Sequence, residues 1–189
     1  MVNLASSYSS LGKYTEAEKL EIQVLDASKR ILGLEHPDTI LAMGNLACSY
    51  TDLGKHTEAE RLEIQVLDAR KRIFAVEHPD TIGALANLAV TYHSLGKYAE
   101  AEKLGIQVLD ASKRSLGVQH PHTILAMDNL AATLRSLGKY KEAEKIVIQA
   151  QALKSRVIGA TSHHANAIMA NVQETEETQI LNFDKKGVY

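Results

Sequence analysis

Asn87-Leu88-Ala89-Val90-Thr91-Tyr92-His93-Ser94-Leu95-Gly96-Lys97-Tyr98-Ala99-Glu100-Ala101-Glu102 is one of four related stretches in this chain. Its Asn-Leu-Ala triplet returns at Asn3, Asn45 and Asn129, and its Leu-Gly-Lys triplet at Leu11, Leu53 and Leu137, always 42 residues apart. Residues 1–42 and 43–84 are identical at 31 of 42 positions. A unit this short cannot bury its own apolar faces and must stack on its neighbours. The period therefore predicts a solenoid, and solenoids mostly bind other proteins.

Each period reads as two helices. His36-Pro37-Asp38-Thr39 opens the first: proline suits the first helical position, where its missing N–H is not needed, and Asp38 meets the positive end of the dipole. Leu46, Ala47, Tyr50 and Leu53 then recur at helical spacing until Gly54, a left-handed stop that glycine adopts cheaply. Thr57-Glu58-Ala59-Glu60 reads as a capping box for a second helix, with Ala59, Leu62, Val66, Ala69 and Ile73 on one face. Short loops make the two helices antiparallel.

Composition agrees with an elongated body: 45% of the 189 residues are hydrophobic, yet there are only two Phe and no Trp to anchor a compact core. A net charge of −2 supplies no general field for nucleic acid or anionic lipid. The single cysteine, Cys48, has no intrachain partner, and no signal peptide or long apolar span is present. The expected setting is cytoplasmic, without membrane or nucleic-acid contact.

Ala47, Tyr50, Gly54 and Ala59 carry a resemblance to the tetratricopeptide repeat. The 42-residue period, the His-Pro-Asp-Thr opening, the Asn-Leu-Ala triplet and the Leu-Gly-Lys-Tyr-x-Glu-Ala-Glu stretch at 11–18 resemble the kinesin light chain type of repeat. The resemblance implies an all-α, right-handed superhelical solenoid of antiparallel helix pairs over residues 1–160. Its first copy lacks the opening half-helix, because Met1 aligns with Met43. Residues 161–181 are expected to hold a degenerate capping helix, and 182–189 a disordered tail.

Where near-identical repeats differ, divergence has been permitted. On the first helices those positions include Gly44, Ala86 and Asp128; Cys48, Val90 and Ala132; Thr51, His93 and Arg135; and Asp52. They fall on one helical stripe, which in the family resembled faces the concave groove. The stripe is read as a recognition surface, although drift at solvent-facing positions gives a similar map. Beside it stand the unchanging Asn45, Asn87 and Asn129. An asparagine offers a donor and an acceptor, and a row of them suits the main chain of an extended peptide. The resemblance implies such peptide contact; a structural bond to the adjacent repeat is the other reading.

Other residues point away from chemistry. His36, His78 and His120 lie one repeat apart at helix entries, too far to share a metal. Cys48 has no repeated basic partner to activate it. No P-loop, nucleophile elbow or zinc signature appears, so neither an enzyme nor a cofactor is expected. Two function classes follow from the resemblance. One is an adaptor that holds an extended peptide of a partner protein, with a kinesin heavy chain or cargo as the partner of kinesin-light-chain-like proteins. The other is the sensor or oligomerisation region of a nucleotide-switch (NB-ARC/STAND-type) protein.

Overall fold

The structure, a computed structural model, describes Tyr8 and residues 11–157. These residues form α1 (Tyr14–Leu32), α2 (Pro37–Asp52), α3 (His56–Ile73), α4 (Pro79–Ser94), α5 (Tyr98–Ser115) and α6 (Pro121–Ser136). A further helix, α7, covers 140–157. Each helix from α1 to α5 packs on the next, and α4 also touches α6. The described residues are all helical apart from turns, and their contacts run between neighbours, as stacking requires.

The helix entries follow from the His-Pro pairs. Pro37 begins α2, and the amide of Asp38 donates to His36 Nδ1 at 3.2 Å, so the imidazole serves as the cap. His78 and His120 repeat the arrangement at α4 and α6. The exits follow from glycine: Gly54 lies at φ 72°, and the Lys55 amide donates back to the Tyr50 carbonyl at 2.8 Å.

That return bond corrects the capping-box reading of Thr57-Glu58-Ala59-Glu60. The chain re-enters helix at His56, one residue before Thr57, and the cap position is held by Lys55 without a side-chain bond. The amide of Ala59 bonds to the Lys55 carbonyl instead. Ala47 and Ala59 are fully enclosed, as close helix approach demands, whereas Ile73 is 46% exposed where α3 ends beyond the core.

A feature absent from the sequence reading joins the repeats. Lys55 Nζ bonds Glu18 of the preceding repeat at 2.6 Å, and Lys97–Glu60 and Lys139–Glu102 reproduce it at the same distance. The ammonium groups of Lys55 and Lys97 also lie 5.6 and 5.4 Å from the rings of Tyr50 and Tyr92. Arginines near the ends of second helices contribute a second set of bridges, Arg72–Glu35 at 3.2 Å and Arg114–Glu77 at 3.4 Å. The expectations for the opening of the first repeat, the capping helix within 161–181 and the tail 182–189 lie outside the described residues.

Candidate functional site

The first helices of successive repeats, α2, α4 and α6, bring the varying stripe into shared hollows. Cys48, Thr51 and Asp52 of α2 meet Asn87, Val90 and Thr91 of α4 around a cavity of about 160 Å³ whose floor is Glu63 of α3. One repeat further on, Val90 and His93 face Asn129, Ala132 and Thr133 across a hollow of about 100 Å³ floored by Ala101 and Gly105 of α5. Towards the helix N-termini, Gly83 and Ala86 face Leu125 and Asn129 around about 220 Å³. Period 3.6 places these positions on one helix side, and repetition sets the sides next to each other.

Not every residue of the stripe is equally open to a ligand. Asp128 is paired with Lys154 of α7 at 2.7 Å, and His93 Nε2 is 3.1 Å from Ser136 Oγ. Gly44 and Asn45 are half-buried on α2, while Arg135 is exposed near the end of α6. The asparagines make little use of their amides: Asn87 Nδ2 reaches Cys48 Sγ only at 4.0 Å, and among the described residues no side-chain hydrogen bond is made by Asn45 or Asn129. The bond to the adjacent repeat that the structural reading needs is thus a marginal thiol contact at one of three positions.

Two functional-looking residues escaped the sequence reading. Glu21 and Glu63 are 8% and 5% exposed, and one carboxylate oxygen of each, Oε2, has no hydrogen-bond partner. Burial lifts both carboxyls above their ordinary range, opposed by the nearby hydroxyls of Ser49 and Thr91, respectively. The signal was available: Glu63 lies four residues after Ala59 and three before Val66, on the buried face. At the same register the third repeat carries Gly105, which exchanges an acid for a hollow. Burial, Glu63, Asp52 and Glu21 all push the Cys48 thiol up and keep it protonated, against a nucleophilic role.

No group of side chains among the described residues is arranged to hold a metal ion. No helix among them is long and apolar enough to cross a membrane.

The tetratricopeptide repeat family model matches residues 1–72 and 80–156. No curated protein matches the chain. Among solved structures, a Podosopora anserina protein of nearly identical TPR-like repeats, described as kinesin light chain, is 23% identical; the match covers 82% of this chain and 93% of that one, with a TM-score of 0.58. BtubC (BKLC) from P. vanneervenii is 21% identical over 84% of this chain and 63% of its own, with a TM-score of 0.77. A Rap protein complexed with competence and sporulation factor is 18% identical over 82% of this chain and 41% of its own, with a TM-score of 0.67. The fold is thus shared with arrays of the kinesin light chain type, and the chain belongs to the tetratricopeptide repeat family, whose arrays are protein-interaction scaffolds.

Proposed function

We propose that this array is an adaptor that holds an extended peptide segment of a partner protein along the α2–α4–α6 face. The observation that carries the reading is the row of asparagine amides, barely engaged within the fold, beside hollows built jointly by adjacent repeats. Packed helices stand roughly 8–10 Å apart and an extended chain advances about 3.3 Å per residue, so at that spacing each asparagine meets about every third ligand residue. The amides read main chain, and the varying stripe reads side chains. The repeated lysines that clamp a terminal carboxylate are missing from this face, which favours an internal segment. The Rap protein that shares the fold was solved with a bound factor, which agrees with ligand binding on such a scaffold.

The test is a library of acetylated and amidated nine-residue peptides, bound to the wild type and to Asn87→Ala. Loss of a main-chain grip should weaken all selected peptides alike, by on the order of 1–3 kcal/mol. Substitution of His93 or Arg135 should instead reorder preferences among peptides. Circular dichroism monitors the fold; an Asn87→Ala chain that unfolds, or binds the library unchanged, removes the asparagine row from recognition.

A further inference from the structure

The cavity between α2 and α4 carries acids that the next hollow, between α4 and α6, lacks. Its floor is Glu63, 5% exposed, with Oε2 lacking a partner, and its rim carries Asp52. A buried carboxylate without a counter-charge is costly, and among the described residues no cation is paired with Glu63. The nearby lysines are committed elsewhere: Lys55 to Glu18 and Lys97 to Glu60. The groups acting on Glu63 are burial itself, the Thr91 hydroxyl and the negative Glu60, in that order, and none of them is positive. Glu21 repeats the situation one period earlier, with its own Oε2 unpartnered. One period later the acid is gone, and Gly105 lines the corresponding hollow in its place.

We infer that the cavity floored by Glu63 and rimmed by Asp52 is a specificity pocket for a lysine side chain of the bound peptide. This rests on the proposed peptide groove and names the chemistry of its ligand. An ammonium carries three donors and no acceptor, and the cavity lining offers it two acceptor groups, the carboxylates of Glu63 and Asp52. The apolar stem of lysine suits the Val90 wall, because its methylenes can be buried while the charge is paired. Charge complementarity selects lysine over acidic or neutral side chains: with a neutral one the carboxylate stays buried and unpaired, and an acidic one adds a like charge. With Gly105 in the next floor position, no acid selects a basic residue about three places along the ligand, at the neighbouring hollow.

The experiment uses the same nine-residue library on the full chain, as wild type, Glu63→Gln and Asp52→Asn. Wild type should enrich lysine at one fixed position. Replacing that lysine by norleucine in the best peptide should weaken binding about ten- to a hundredfold, the range for a hydrogen bond to a charged group. Glu63→Gln, which keeps the shape, should abolish the lysine preference while leaving the other positions of the selected motif unchanged, and Asp52→Asn should reduce it. Selection of peptides without basic enrichment, or an enrichment that survives Glu63→Gln in a chain that is still helical, overturns the lysine pocket and leaves the groove standing. Failure to select any peptide overturns the groove and the pocket together.

Discussion

Leu88→Ala tests whether the stack is held where the structure places its core. Leu88 is 3% exposed on α4 and belongs to the continuous apolar cluster that runs from Leu25 to Ala150. The substitution removes three carbons, and at about 0.8 kcal/mol each the lost transfer energy is roughly 2.4 kcal/mol. The surrounding helices are fixed by neighbours on both sides and close only partly over the void, which brings the total to about 3–4 kcal/mol. Leu125 supplies the comparison: it is 52% exposed on the groove side of α6, and Leu125→Ala should cost less than about 1 kcal/mol. Urea melts followed by circular dichroism give both values, with broad transitions because each repeat is coupled only to the next. A Leu88→Ala cost below about 1 kcal/mol, or equal costs at the two leucines, would refute the assignment of Leu88 to the inter-repeat core.

Burial raises the Glu63 carboxyl above the 4.5 it has in the unfolded chain, so the unfolded state loses its proton first as pH rises. Wild-type stability relative to Glu63→Gln should therefore fall from pH 4.5 upward and converge below it; paired melts at pH 4 and pH 7 that show the opposite trend contradict the burial. Gly105→Ala adds a Cβ 3.1 Å from Leu130 Cδ1, the far end of a side chain, while relieving a mid-helix glycine. A net gain of about 0.5 kcal/mol is expected in thermal melts, and a loss above about 1 kcal/mol would mean that Leu130 cannot yield. His78→Ala should cost about 0.5–1 kcal/mol by removing the acceptor for the Asp80 amide, and His78→Asn should recover most of it; no difference between the two variants in urea melts argues against capping.

The helix pairs were legible because their punctuation is chemical: proline fixes the entry at Pro37 and glycine the exit at Gly54, whatever surrounds them. The Thr57 box misled because a local pattern competes with geometry inherited from the preceding turn. The return bond from Lys55 to Tyr50 starts the next helix before the threonine is reached. The Lys–Glu bridges were harder, since their partners are 37 residues apart and only the stacking of one repeat on another joins them. The varying stripe could be assigned to one face by period alone. That Glu63 forms the floor beneath that face depends on the neighbouring helix, and hydropathy treats glutamate as surface.

The identical bridges at Lys55, Lys97 and Lys139 have a bearing on how such a gene can change. Each bridge draws its lysine from one repeat and its glutamate from the one before, so any whole unit carries half of both junctions it must make. Duplicating or deleting 42 codons by unequal recombination creates a junction that carries the same lysine–glutamate bridge as those already present. Array length can therefore drift between generations without passing through a misfolded ancestor. Insertions that are not whole multiples of the repeat lack that protection.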